Sequence, residues 1–262
     1  MMHRIFTIPI SIVTPVFNDF DEFSSTFKSI VDQLGNSDEL IIIDSSLDKY
    51  FIKNFCDSKE VKFKIRYFWC EPQGIYPAMN KGISKCNNSF IQILNSGDTY
   101  LPSARKLISK NMDANPKMQI FIFDQLSGYD GESISRFSST ESSLWPHQSS
   151  IVHYKIYEEL GFYSELFDVI SDQIFFWQAR KICNYYIINE PLTYYDLNGV
   201  SSKVSFKNIQ ETYFLWRIMG KNTIFCLAKS IKLILKVITQ AFIGIKMAKK
   251  IRIFIFSHFT KT

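Results

Sequence analysis

Apolar and polar positions follow two periods along this chain. Ile8 to Thr14 is a short, mostly apolar run closed by Pro15, which predicts a buried strand. From Asp19 to Leu34 the apolar positions are Phe20, Phe23, Phe27, Ile30, Val31 and Leu34, mostly three or four apart, and Gly35 follows. That is an amphipathic helix with its stop signal. Leu40 to Ile43 predicts a second strand ending at Asp44-Ser45-Ser46, with a helix near Lys49 to Cys56. Phe63 to Trp69 reads as a third strand and Ala78 to Cys86 as a helix, with Pro77 in its first turn. Ser89 to Leu94 is a fourth strand that runs into Asn95-Ser96-Gly97-Asp98. Pro102 opens another helix, and Gln119 to Phe123 is a fifth strand. The stretch 127–150 is rich in Ser, Gly and charge and predicts a hairpin or mobile loop. Helical spacing returns near 153–160 and 172–182, a strand over Tyr185 to Ile188, and a helix over Phe206 to Met219.

Strand alternating with helix predicts an α/β fold, with a Rossmann-like, mainly parallel sheet flanked by helices. Strands apolar at every position suit a sheet covered on both faces. Polar residues collect where these strands end: Asn18 and Asp19, Asp44 and Ser45, Asn95 to Asp98. Open α/β sheets bind ligands at the carboxyl ends of their strands, so this clustering is a candidate site. Carboxylates such as Asp44 and Asp98 can hydrogen-bond a ribose or hold a hard cation, Mn²⁺ or Mg²⁺, that shares its oxygens with phosphates. Gly97 would let a diphosphate come close to the backbone.

Composition narrows the class. An apolar fraction of 46% and a charged fraction of 21% exclude a disordered chain. Five cysteines without a C-x-x-C pair argue against a disulfide framework or zinc ribbon, and for a reducing compartment. Met1 to Ile5 lacks a signal-peptide apolar region, and no uncharged apolar stretch is long enough to span a bilayer. Charge is divided unevenly. After Glu211 there are ten Lys and Arg and no Asp or Glu, whereas the first 211 residues carry 20 basic and 25 acidic groups. Between Ile224 and Phe259, Leu227, Ile231, Ile234, Leu235, Ile238, Phe242 and Ile245 recur at helical spacing among lysines. We read residues 220–262 as a basic amphipathic helical tail for an anionic membrane surface, through residues 221–262. The alternative is that its apolar face packs on the catalytic domain or in a homodimer. Nucleic acid is not expected, because no binding motif accompanies the charge.

Several segments in register resemble family-2 glycosyltransferases. They are Ser11 to Asn18, Glu71-Pro72-Gln73-Gly74-Ile75-Tyr76-Pro77-Ala78-Met79-Asn80-Lys81-Gly82-Ile83, Ile91 to Asp98, His147-Gln148-Ser149, Leu160-Gly161-Phe162-Tyr163, Ile170-Ser171-Asp172 and Asn198-Gly199-Val200-Ser201-Ser202. The nearest relatives by motif are bacterial enzymes that build capsule, O-antigen or exopolysaccharide. The resemblance implies a GT-A fold over residues 1–219, with a nucleotide-binding half of about 1–125 and an acceptor half of about 126–219. It implies inverting transfer of a hexosyl or N-acetylhexosaminyl group from a nucleotide-sugar, read as a UDP-sugar, to a lipid-linked saccharide. The place implied is the cytoplasmic side, peripheral on the inner face of the cell membrane. By position, Pro15, Val16 and Asn18 would line the base pocket, and Asp44 would contact the uracil or ribose. Asn95 and Ser96 would lie near the ribose, and Asp98 would bind the metal. Asp172 would be the general base, Lys81 would pair with a phosphate, and His147 would touch acceptor or phosphate. Two departures stand out. Ser96-Gly97-Asp98 retains one acid of the metal motif, and Pro77 stands where relatives commonly have Asp. The rival reading is a non-catalytic protein of the same fold that binds a nucleotide-sugar or a partner. Convergence of Asp98 and Asp172 on one pocket would discriminate the two.

Overall fold

The computed structural model describes residues 8–129, 132–140, 142, 144–197 and 206–243. The first half alternates strictly: β1 (Ile10–Val16), α1 (Phe20–Val31), β2 (Glu39–Asp44), α2 (Phe51–Asp57), β3 (Lys64–Trp69), α3 (Ile75–Ile83) and β4 (Phe90–Ile93). A two-residue strand, β5 (Thr99–Tyr100), precedes α4 (Ala104–Ala114). Then come β6 (Ile120–Tyr129), β7 (Glu132–Phe137), a 3-10 turn at His147–Ser149, β8 (Ser150–His153), α5 (Tyr154–Leu160), α6 (Ser171–Ile182) and β9 (Tyr185–Asp196). Two helices follow, α7 (Phe206–Ile218) and α8 (Thr223–Ile243).

The sheet order is β3-β2-β1-β4-β8-β6-β9-β5, with β7 paired to β6. The α/β sheet flanked by helices is as the periodicity predicts, and β3, β2, β1 and β4 are mutually parallel. Beyond β4 the sheet is mixed. β8 is antiparallel to both β4 and β6, β5 is antiparallel to β9, and β6 runs parallel to β9. The sequence pattern hides β8 because Ser150-Ile151-Val152-His153 is short and abuts both a polar stretch and a helix. It stops β9 at Ile188 because Pro191 cannot donate to a ladder. Pro191 in fact sits at a register shift opposite Asp124, where a proline is tolerated.

Alternate strand residues feed two cores, one on each face of the sheet. Ile10, Ile12, Leu40 and Ile42 pack with Phe23, Phe27 and Ile30 of α1. Val13, Ile41, Ile43, Ile91 and Ile93 pack with Met79 and Ile83 of α3 and with Tyr157 and Phe175. The second core needs Gly82: a Cβ there would lie 2.2 Å from Val13 Cγ1, so only glycine lets α3 settle on β1. Asp38, before β2, accepts from Ile10 N, Gly35 N and a bidentate Arg105 on α4, all fully buried, and so locks α4 to the start of β1. Breaking such a buried pair from one side costs roughly 3–5 kcal/mol. Asn198 to Ser202, residues 1–7 and the tail beyond Ile243 lie outside the described residues.

Candidate active site

The parallel strands end side by side, and the loops after them are tied together. Ser45 N donates to the Val16 carbonyl at 2.9 Å, and Leu94 N to the Val13 carbonyl at 2.9 Å. Asn18 adopts the left-handed backbone region (φ 52°), which Asn tolerates better than most residues. There its N–H donates to Ser46 Oγ, and its Oδ1 accepts from Leu47 N. Asp44 is fully buried; one oxygen accepts from Ser46 N and the other from the Tyr67 hydroxyl, each at 2.8 Å. Burial, then the Asp44 carboxylate beside it, pushes the Tyr67 hydroxyl well above its ordinary range. Pro15 meets the second loop through its carbonyl, 3.5 Å from Ser96 N, and Val16 is buried beneath. Lys81 donates to the Trp69 carbonyl at 3.3 Å.

The second cluster centres on Asp172, in the first turn of α6. Its Oδ1 accepts from the Tyr76 hydroxyl at 2.9 Å. Its Oδ2 lies 2.9 Å from His147 Nδ1 and 3.1 Å from Gln173 Nε2. The other ring nitrogen, His147 Nε2, is 3.1 Å from Asn95 Nδ2. Four elements distant in sequence thus supply one chain of contacts, Asn95–His147–Asp172–Tyr76. The antiparallel β8 explains why His147 is there. The residues that precede β8 fall at the carboxyl edge of its antiparallel neighbour β4. Gln92 on β4 fastens this turn by donating to the Gln148 carbonyl. Burial raises the Asp172 pKa, but the donors His147, Tyr76 and Gln173 outweigh it, and the carboxyl lies below its ordinary value. Tyr76 shifts the opposite way, upward, through burial and the neighbouring carboxylate.

Asp98 behaves differently. Its carboxyl is 4% exposed and accepts from the Gln148 side chain and the Asp196 main chain. Burial, reinforced by the charges of Glu22 and Asp196, pushes its pKa well above the ordinary value. The loop around it is shaped by Thr26 of α1. The Thr26 hydroxyl lies 2.8 Å from the Asp98 carbonyl and 3.0 Å from Gly97 N. Gly97 has φ +94°, and a Cβ there would meet Glu22 Oε2 at 2.9 Å. Asp98 and Asp172 therefore lie on either side of one short turn, Gln148 touching the first and His147 the second.

Asp98 carries the metal expectation: it is buried, and with no cation beside it burial and the charges of Glu22 and Asp196 disfavour its ionised form, whereas a bound cation would favour it. Among the described residues no group of three or more His, Cys, Asp or Glu side chains is disposed to hold a metal. A cavity between α2 and β3 is lined by Cys56, Phe63, Ile65 and Tyr67, and reaches the candidate residues only through Tyr67, the partner of Asp44.

Sequence patterns alone assign no role to Tyr76, Gln148, Gln173 or Thr26. The first two stand inside the motif segments quoted above, which is a signal that they matter. Gln173 and Thr26 carry no such mark. Asn80 explains why two of those segments travel together: its amide brackets Tyr163, donating to the carbonyl at 2.8 Å and accepting from the N–H at 3.0 Å. Glu211, from α7, is also unmarked in sequence. Its buried carboxylate accepts from Asp168 N and Val169 N, on the loop leading into α6.

Comparison with known proteins is consistent with this geometry. The model of the Glycosyl transferase family 2 matches residues 11–175. The uncharacterized glycosyltransferases MT1564 and Rv1514c of Mycobacterium tuberculosis are each 27% identical over 208 residues, 74% of this chain and 77% of theirs. An uncharacterized glycosyltransferase of Rickettsia bellii is 28% identical over 120 residues, 45% of this chain and 16% of that protein. Among solved structures, S. aureus TarS 1–349 in complex with UDP-GlcNAc superposes with a TM-score of 0.64 at 11% identity, over 90% of this chain and 73% of that one. The same protein in complex with UDP gives 0.62 at 12% identity, over 90% and 72%. At such identities the likeness establishes the fold, which is GT-A.

Proposed function

The chain belongs to glycosyl transferase family 2, and from that premise we propose that it moves a hexosyl or N-acetylhexosaminyl group from a UDP-sugar to a hydroxyl of a lipid-linked saccharide, with inversion, in bacterial surface-polysaccharide synthesis. The observation that carries this reading is the Asn95–His147–Asp172–Tyr76 chain at the carboxyl edge of the sheet, buried at Asp172 and Tyr76 and half-buried at Asn95 and His147. A carboxylate and an imidazole held there are what an acceptor hydroxyl needs, since it is a poor nucleophile until its proton is taken as it attacks. Attack on the face opposite the leaving nucleoside diphosphate inverts the anomeric carbon. The loops of Pro15, Val16, Asn18, Asp44 and Ser96 form the adjoining wall for the nucleotide, and Lys81 flanks it from α3. The complexes of TarS with UDP and UDP-GlcNAc support a uridine nucleotide as donor. Mn²⁺ or Mg²⁺ would be held by Asp98 together with phosphate oxygens of the donor, and would supply neutralisation of the leaving diphosphate.

The tail supports action at a bilayer, on the inner face of the cell membrane. Among the described residues no helix is long and apolar enough to cross a membrane. On α8, Ile224, Leu227, Ile231, Ile234, Leu235 and Ile238 are all exposed. At 3.6 residues per turn they form one stripe about 100° wide. Cys226 and Ser230, on another side of the helix, are buried, and α8 packs on α7 through Phe225 and Trp216, rings 5.3 Å apart. The helix therefore presents an apolar stripe, with Lys232 beside it, to whatever lies outside, while Lys229 lies over the Trp216 and Phe225 rings.

The test is a panel of UDP-sugars with the purified full chain, a bacterial membrane lipid extract as acceptor, and Mn²⁺ and Mg²⁺ both present. The expected result is UDP release from one donor that rises with the extract, and a product of inverted configuration by NMR. Failure to bind UDP in calorimetry, with no donor turned over, would sink the proposal.

A further inference from the structure

We propose that Tyr76 is the positioning residue that aims the Asp172 carboxylate and sets its place relative to the nucleotide wall. This rests on the glycosyltransferase reading, in which Asp172 takes the acceptor's proton, and assigns the residue that readies it. In that step the acceptor oxygen bonds to the anomeric carbon as the bond from that carbon to the diphosphate oxygen breaks. The electron pair of the broken bond leaves with the nucleoside diphosphate, and the hydroxyl proton goes to the carboxylate. A carboxylate serves in this way only when it is ionised and correctly turned.

The hydrogen bonds show what Tyr76 does to it. Each oxygen of an ionised carboxylate has about two lone-pair sites. Oδ2 has two partners, His147 Nδ1 at 2.9 Å and Gln173 Nε2 at 3.1 Å, whereas Oδ1 has the Tyr76 hydroxyl at 2.9 Å. The phenol therefore fixes the rotation of the carboxylate from the side that is less fully occupied. Its oxygen also faces the main-chain N–H groups of Asp172 and Ser171, in the first turn of α6. The first N–H groups of a helix have no partner within it. One side chain thus holds both the carboxylate and the start of the helix that carries it. Burial, then the Asp172 charge, pushes the Tyr76 hydroxyl far above its ordinary range, so it remains a neutral donor.

Tyr76 is itself placed by the nucleotide half. It stands in the first turn of α3, and α3 settles on β1 through Gly82. β1 in turn ends at the loop of Pro15, Val16 and Asn18. Asn80, four residues after Tyr76 and so on the same side of α3, clasps Tyr163 through both its N–H and its carbonyl. The Tyr76 and Tyr163 rings pack 5.7 Å apart. α3 therefore reaches from the strand that carries the nucleotide wall to the segment that leads into α6, and Tyr76 is its contact with the base.

Three measurements decide it. Tyr76→Phe keeps the ring and removes the donor. It should bind UDP as the parent does, keep the parental KM for the UDP-sugar, and lose about 10–100-fold in kcat, as loss of a hydrogen bond to a charged group does. A folded variant with the parental kcat, or one whose loss lies wholly in KM, overturns the proposal. The second measurement is the titration of the Asp172 carboxyl, read by carboxyl-carbon NMR on the free protein. Removing a donor to the ionised form raises a pKa, so the midpoint should move to higher pH in Tyr76→Phe. The other titratable groups that face Asp172 are His147, from the turn before β8, and Tyr163, after α5. Both remain in the variant, so a shift belongs to the lost hydroxyl. A ring that only fills space would leave the midpoint unmoved, and that result overturns the proposal. The third needs no variant: in the parent the Tyr76 hydroxyl proton should exchange slowly with water and show a proton NMR signal. A hydroxyl in free exchange overturns the proposal even if Tyr76→Phe does not fold. If the parent turns over no UDP-sugar, the glycosyltransferase reading has failed and the proposal with it; an active parent matched by its variant sinks the proposal alone.

Discussion

Two carboxylates close in space carry opposite charge preferences, and the difference is set by their partners. Asp172 is buried with three donors around it, and its pKa is lowered. Asp98 is buried with weaker support and two acidic neighbours, and its pKa is raised. Their contributions to stability therefore depend on pH in opposite directions. For Asp172 the folded protein binds fewer protons than the unfolded chain, so its stabilisation is present above the ordinary value of 3.8 and lost as pH falls through the folded value. For Asp98 the folded protein binds more, so stability is present below 3.8 and lost as pH rises through the raised value. Thermal melts across pH should show Asp172→Asn destabilising at neutral pH and progressively less so in acid. Asp98→Asn should gain on the parent as pH rises. Parallel pH trends for the two variants would contradict this assignment of charge.

At the scale of elements, the loop before α6 is held from outside the sheet. Glu211 on α7 accepts from Asp168 N at 3.0 Å and Val169 N at 2.9 Å, and Lys207, one helical turn earlier, pairs with the Asp168 side chain. α7 thus fixes the entry to the helix that carries Asp172. Glu211→Ala would leave two main-chain N–H groups without their acceptor, at a cost of about 1–3 kcal/mol for each that stays buried. The expected outcome is a lowered melting temperature, together with faster hydrogen exchange at Asp168 and Val169. Glu211→Gln, which keeps one acceptor oxygen, should fall between. Unchanged exchange at those two amides in Glu211→Ala would show that the loop holds itself.

The whole molecule joins a mildly acidic α/β body to a helical hairpin whose outer face is apolar and edged with lysine. Replacing Ile231 and Ile238 by Glu alters that exposed stripe and leaves Cys226 and Ser230 to pack inward. The double variant should melt like the parent and lose most of its binding to vesicles containing phosphatidylglycerol. Binding by the parent should weaken as salt rises, because surface charges are screened over about 8–10 Å at physiological ionic strength. Equal vesicle binding by parent and variant would remove the bilayer as occupant. A parental dimer that the variant dissolves would assign the stripe to a second copy of the chain.

Local sequence determined the elements that repeat a simple period. The strands β1 to β4 and helices α1 and α3 are legible in residue spacing because each is covered by the core on a predictable side. The gathering of Asp44 and Asn95 at strand ends is legible for the same reason, since parallel strands joined by helices must all end at one edge. Tertiary structure alone decided the rest. β8 is four residues long and gains its strand character only between β4 and β6, from hydrogen bonds to partners distant in sequence. That insertion sets His147 against Asp172, 25 residues away, and against Asn95, 52 residues away. The inward turn of Asp98, the three donors on Asp172 and the clasp of Glu211 are likewise contacts between remote segments. No residue's local pattern encodes which donors will surround it, and it is those donors that decide whether a carboxylate holds a charge, a ring or a loop.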